Sequence, residues 1–398
     1  MIEELVNVIQ PYAWGSRTAL AALRGEPASD KPEAELWMGA HPLAPSRLAS
    51  KSETLLDAIT RAPAQHLGPV LDQQHGGKLP FLLKVLAAAS PLSLQAHPSL
   101  EQAAAGYSAD EAAGIPLDAP NRRYKDANHK PELLCALGEF WALCGFREPA
   151  KTVALLDELG AVELAPYRNL LVQAPNAQGL RSVFSALMAA NAAQQRALAE
   201  HTALACRARL SKASRFAAEL GWAARIADLY PGDIGLVGAL LLNLVRLEAG
   251  EAIFLPAGNL HAYLDGTGIE LMASSDNVLR GGLTPKHVDV PELLRVLDFT
   301  PIEVQPLLPR PRGAERVYET PIRDFRLSYF DLGGETLSLP ITAPEIWLVT
   351  TGTIELTSAA GERVSLTPAR SAFVSADSQS LGLSGKGRIF RATVNQPA

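Results

Sequence analysis

Cysteine is scarce in this 398-residue chain: Cys135, Cys144 and Cys206 make up the full complement. None stands at CxxC spacing, so no disulfide framework or cysteine-built zinc site is expected. The three read as small buried thiols, kept reduced in a cytosolic protein. A basic surplus is also missing: 36 Lys and Arg face 42 Asp and Glu, for a net charge of −6. That argues against nucleic acid as a main partner, while leaving room for a small anion held by a few local cations. No long apolar run exists either. The best stretch, 234–247, is interrupted by Gly235, Gly238, Asn243 and Arg246 and is too short for a membrane span. Met1 to Leu5 offers neither a basic n-region nor an apolar h-region, so no secretory signal is expected. A Gly-rich phosphate loop is absent from the start of the chain, which removes the main signature of a nucleotidyltransferase half.

What is present is an ordinary globular balance, 47% hydrophobic and 20% charged, in a length that suits two or three cores. Residues 1–148 carry short apolar runs broken by Gly and Pro, such as 79–86 and 90–96, which predict strands with a few short helices, one at 54–60. Residues 149–240 are rich in Ala and Leu. Apolar spacing at 151–159 stops at Gly160, and 179–227 is a run of strong helix formers, so a helical insertion is expected. The strand pattern returns from 241 to 300, with a helix at 291–297 that begins on Pro291. Four prolines between 301 and 313 predict a linker. The block 301–398 reads as all-β, with strands at 345–350, 353–357 and 388–394 and turns at Thr351-Gly352 and Ala360-Gly361, which suggests a sandwich or jelly roll.

Three short motifs carry chemistry. In Ser93-Leu94-Gln95-Ala96-His97-Pro98, strand alternation puts Gln95 and His97 on one face, where both reach one ion. Alone, the pair is equally an incidental polar face. Asn128-His129-Lys130-Pro131-Glu132 places an imidazole, an ammonium and a carboxylate around a proline, or else forms a solvated turn. Gly250 to His261 reads as a strand, a tight Pro256-Ala257-Gly258 turn and a second strand presenting His261; an ordinary hairpin has the same outline.

The spacing Gly250, Pro256, Gly258, His261 resembles the second signature motif of the cupin superfamily, whose closing His binds metal inside a small β-barrel. Its last position, usually Asn, falls on Asp265. The first cupin motif departs from the usual His-x-His: Gln95 replaces one His, and the Glu is delayed to Glu132. That departure resembles the type I mannose-6-phosphate isomerases, as do Tyr12 to Ser16, Glu35 to Pro42, Leu79 to Leu86 and Ser274 to Lys286. The likeness runs from residue 1 to about 297 and fades beyond. It implies a mainly β chain with a helical insertion, a cupin jelly-roll catalytic barrel, and a second C-terminal jelly roll without a metal site, since no His follows His287. It implies one zinc ion held by Gln95, His97, Glu132 and His261, a reasonable open set of nitrogen and oxygen donors.

The implied reaction interconverts mannose 6-phosphate and fructose 6-phosphate in carbohydrate metabolism, upstream of GDP-mannose. Moving a proton between C2 and C1 requires a base, a stabiliser for the enediolate and an anchor for phosphate. The resemblance marks Arg280 as active. Lys130 and Asp276 are candidates for proton transfer and ring opening, with His129 behind them; an ammonium beside a dication loses its proton more readily. In the family a Lys follows the Gln-x-His-Pro turn; Leu100 stands there instead. Either Lys84 or Lys286 supplies the missing cation, or phosphate is held more weakly. The expected partner is a small sugar phosphate, with no nucleic acid and no membrane, and the chain is expected to act as a monomer. Other cupin activities, such as an iron oxygenase or another isomerase, compete with this function. So does a non-catalytic sugar-binding cupin, which would have little use for a Lys-Pro-Glu and Asp-Arg array.

Overall fold

The structure, a computed structural model, describes residues 1–395. Two ten-stranded antiparallel sheets account for the strands among them. Helix occupies about as much of the chain as strand, more than the mainly β expectation implied. Leu55–Arg61 is the helix expected at 54–60; the surplus comes from other helices outside the insertion, notably Pro69–His75 and Leu100–Ala112.

The first sheet runs in the order Ala252–Leu255, Glu132–Ala136, His261–Ala273, Phe81–Ala88, Glu35–Met38, Val8–Gln10. His261–Ala273 is long enough to bend away, and its first residues pair with Leu94–Ala96 and Phe140–Phe146. Alternation sorts its side chains. Leu83, Val85, Leu133, Cys135, Ile269 and Leu271 point outward into a core shared with Ile346, Leu348, Phe373 and Phe390 of the second sheet. Lys84, Glu132 and Glu270, on the alternate face, point inward. The two sheets therefore pack through one apolar layer, and the polar residues of the first sheet collect on its far side.

The second sheet contains the strands between Arg310 and Thr393, and also Ile2–Val6 and Arg47–Leu48. Ile2–Val6 pairs with Ser371–Val374, so the start of the chain is woven into the block at its end. Glu345–Ser358 is one strand where two with a turn were expected. Thr351-Gly352 is a bulge within it: the register with Ser380–Thr393 slips between Val349 and Thr351, and Gly352 takes φ 75°. A Cβ at Gly352 would lie 1.9 Å from the Lys386 carbonyl oxygen, so glycine serves close strand approach here. The proline-rich stretch is also more structured than a linker, since Leu307 pairs with Ala252 and Arg310–Arg312 forms a strand.

The helical stretch folds as expected. Pro149–Leu159 stops at Gly160 in the left-handed region, and Ala177–Ala189, Ala192–Leu210 and Ala217–Leu229 follow. Asn176 and Asn191 cap two of these through their side chains. Leu180, Val183, Phe184 and Ile226 bury against Leu94, Leu260 and Leu279, backing the strands that carry the site. Among the described residues, no helix is long and apolar enough to cross a membrane.

Candidate active site

A cavity of about 680 Å³ opens on the inward face of the first sheet. Gln95, Lys130, Glu132, Asp276 and Arg280, all singled out in the sequence, line it, together with Lys84 and Lys286. His97 and His261 lie beneath its wall, 2% and 1% exposed. Local sequence explains each placement. Leu94–Ala96 registers Gln95 opposite both His261 and Arg280, so one residue pair in each direction gathers three candidates. His97 follows at the end of that short strand, before Pro98 and the helix capped by Ser99. Glu132 opens its strand immediately after Pro131, and His261 opens the long strand after the Pro256–Gly258 turn, as the motif predicts.

His97, Glu132 and His261 present ligand atoms within 4.8 Å of one another. The His97 Nδ1 stands 2.7 Å from the Asn277 carbonyl oxygen and the His261 Nδ1 2.9 Å from that of Asn259. A carbonyl only accepts, so each Nδ1 carries the hydrogen and each Nε2 is left as a bare lone pair. These two Nε2 atoms are buried without a hydrogen-bond partner. They face the Glu132 carboxylate at 3.3 and 3.4 Å. Burial and then the nearby Lys130 push His97 down to about 4, so its ring is neutral at physiological pH. Burial alone would raise Glu132, but the neighbouring Lys130 outweighs it and holds the carboxyl well below its ordinary range. Acceptors converging on one buried point is the electrostatics of a cation site, and the donor set suits zinc.

Around this point the charges divide into paired and free. Lys130 Nζ lies 3.0 Å from Glu132 Oε1. Lys84 donates to Glu270 at 2.9 Å, lies 3.6 Å from Glu35, and stands over the Trp37 ring at 5.3 Å. Burial works against its charge, but Glu270 and Glu35 outweigh it and keep Lys84 protonated. Asp276 lies 3.2 Å from His41 Nε2, a contact that overcomes burial and keeps its carboxyl ionised. Arg280 has no ion-pair partner among the described residues; burial alone lowers it. Lys286 is lowered first by Arg280 and then by burial, so these two cations share one stretch of the wall. His129 points elsewhere: its Nε2 meets Asp324 Oδ2 at 3.0 Å, outside the cavity. Leu100 is the exposed first residue of its helix and does not line the cavity.

Sequence reasoning missed the role of Glu35, Trp37, His41 and Glu270 as partners of the charged candidates. The first three stood inside a quoted segment without an assigned task. Glu270 sits in an apolar strand, where only the pairing Glu270↔Lys84 gives it meaning.

Comparison with known proteins bears on this geometry. The model of the type I phosphomannose isomerase catalytic domain matches residues 2–149. The mannose-6-phosphate isomerase of Salmonella typhimurium is 41% identical over 399 residues, covering 98% of this chain and 99% of that relative. The Escherichia coli enzyme of the same name is 40% identical with the same coverage. A zinc-bound crystal structure of mannose 6-phosphate isomerase superposes with a TM-score of 0.91 at 39% identity, covering 99% of this chain and 100% of that one. Likeness of this extent, on a fold that brings two imidazoles and a carboxylate to one buried point, places the chain in the type I phosphomannose isomerase family.

Proposed function

We propose that this protein is a zinc-dependent aldose–ketose isomerase that interconverts mannose 6-phosphate and fructose 6-phosphate. The observation that carries the proposal is the pair of unpartnered Nε2 atoms of His97 and His261 facing Glu132 at the floor of a cavity lined with cations. His97, Glu132 and His261 would hold the metal, with Gln95 on the neighbouring strand completing the protein ligands. Bound zinc supplies Lewis acidity toward the sugar oxygens and lowers the cost of negative charge there.

The chain's own groups divide the remaining work. Lys130, beside Glu132, is the candidate to carry the proton between C2 and C1 through an enediol, taking it up as the neutral amine that a neighbouring dication favours and returning it from the ammonium so formed. Asp276, kept ionised by His41, is the candidate to open the sugar ring by accepting a hydroxyl hydrogen. Arg280, free of carboxylates, turns its guanidinium toward an oxyanion or the phosphate. Lys286 shares that wall and has no ion-pair partner among the described residues, whereas Lys84 is engaged by two carboxylates, so Lys286 is the better replacement for the cation that Leu100 does not supply.

We further infer that the first sheet is the cupin barrel and the second a jelly roll of its own. Catalytic parts 1–148 and 241–300, a helical insertion at 149–240 and a C-terminal domain at 301–398 remain the proposed division. The strand Ile2–Val6 would then cross from the first part into the last. Three buried thiols support a reducing, cytoplasmic setting, and the chain is proposed to act as a monomer on its small substrate.

A coupled assay with mannose 6-phosphate tests the function. Chelation is expected to abolish turnover and added zinc to restore it; full activity in a metal-free preparation would overturn the assignment.

A further inference from the structure

Asn277 belongs to none of the roles above, yet it is 1% exposed and touches the site from three directions. Its side-chain oxygen accepts from the Lys125 N–H at 2.8 Å. Its side-chain amide donates to the Asp126 and Asn128 carbonyl oxygens at 2.8 and 2.9 Å and to Asp126 Oδ1 at 3.2 Å. These partners fix the amide orientation, because an N–H lies on one side and two carbonyls on the other. Its backbone carbonyl accepts from His97 Nδ1 at 2.7 Å. Asp126 reciprocates across the same junction: Oδ1 accepts from Ser275 Oγ at 2.8 Å and Oδ2 from the Asp276 N–H at 2.8 Å.

The clasp joins two segments that are far apart in sequence. One, 125–128, leads directly into His129-Lys130-Pro131-Glu132. The other, 274–277, contains Asp276 and leads into Arg280. Neither lies in a strand; the backbone pairing next to them ends at Met272↔Glu132 and the bond from the Ala273 N–H to the Pro131 carbonyl, and beyond it side-chain hydrogen bonds join the two. The same residue that holds the segments together also holds the hydrogen of His97 on Nδ1 and thus the lone pair on Nε2.

We propose that Asn277, through its clasp with Asp126, is a positioning residue for the reaction: it sets Lys130, Asp276 and Arg280 in one arrangement and couples that arrangement to metal retention at His97. The inference rests on the isomerase reading above. Asparagine is the side chain that the geometry demands. Aspartate would lose all three donated bonds and set a second carboxylate against Asp126, and alanine would leave the Asp126 carbonyl without its buried donor.

Zinc competition against a chromogenic chelator and steady-state kinetics, run on the purified zinc-loaded chain, test this. Asn277→Ala keeps the backbone carbonyl that His97 uses but removes the side-chain bonds that hold it in place; it is expected to weaken zinc binding by about tenfold and to lower kcat by about 10- to 100-fold, the scale known for disturbing the outer support of a metal ligand. KM should change less than kcat. Asn395→Ala serves as the structural control, since Asn395 also donates to two backbone carbonyls, those of Thr320 and Ile322, away from the cavity. It is expected to lower Tm while leaving kcat and zinc affinity within about twofold, well under that range. Asn277→Ser, smaller and still polar, replaces the alanine variant if that one does not fold. Folded Asn277 variants with kcat and zinc affinity near those of the parent chain would overturn the proposal, as would equal losses in Asn395→Ala. Because zinc binding is read without turnover, a parent chain that binds zinc but does not isomerise would indict the isomerase reading instead.

Discussion

At the scale of single residues, the site is decided by which charges are left unpaired. Lys84 and Lys130 both line the cavity, but each lies against a carboxylate. Arg280 does not, so its charge is available to substrate. Arg280→Ala should therefore lower kcat by about 100-fold or more, the usual scale for losing one transition-state charge partner. A loss under about tenfold in steady-state assays would remove Arg280 from the chemistry. His261 was legible in advance because a turn and a strand put it at a fixed offset from Pro256 and Gly258. The neutral His97 and the Glu35–Lys84–Glu270 group were not legible. Their character depends on burial and on cross-strand neighbours, Trp37↔Lys84 and Glu270↔Lys84, that no local pattern encodes.

At the scale of elements, helices announced themselves better than strands. Helix caps are local, so Gly160 and Pro291 marked ends correctly. Strand breaks are ambiguous, because a Thr-Gly pair suits a turn or a bulge, and only the approach of Lys386 to Gly352 decides for the bulge. Strand 79–86 was found within two residues as Phe81–Ala88, whereas 90–96 shrank to Leu94–Ala96. Pro91 lacks the amide hydrogen that a ladder needs. The capping box of Ala192–Leu210, in which Asn191 and Gln194 exchange hydrogen bonds, lies in the helical stretch away from the cavity. Asn191→Ala should cost about 1 kcal/mol of stability. Thermal unfolding should show the loss, while kcat and KM stay unchanged.

At the scale of the whole molecule, the two sheets share a local device. Glu35 accepts from the Trp37 indole at 2.6 Å, and Lys84, opposite Trp37, covers the ring. Glu345 accepts from the Trp347 indole at 2.8 Å, and Arg391, opposite Trp347, covers that ring in the same way. The same Glu-x-Trp and cation unit thus stands in each sheet. The C-terminal block also reaches the segment that leads into Lys130 and Glu132, through the His129–Asp324 pair. Burial would raise Asp324, but the hydrogen bond with His129 prevails and depresses it. A depressed carboxyl stabilises the fold above its unfolded pKa, and that contribution is lost as pH falls through the folded value. The Tm gap between the parent chain and Asp324→Asn should therefore be widest near neutrality and close below about pH 4, the ordinary aspartate range. A gap that does not vary with pH would show that the ion pair contributes nothing.

The pairing of Ile2–Val6 with Ser371–Val374 has a consequence for how the protein is made. Ile2–Val6 is made long before Ser371–Val374, the strand it needs on one side. With only the short Arg47–Leu48 strand beside it, Ile2–Val6 must wait through synthesis of the residues between, and the second sheet cannot be completed until Ser371–Val374 has emerged. A polypeptide stalled or cleaved shortly before Ser371 would carry all the residues of the candidate metal site and still present Ile2–Val6 as an open edge, with Ile2 and Leu5 uncovered, to any chaperone or neighbouring chain.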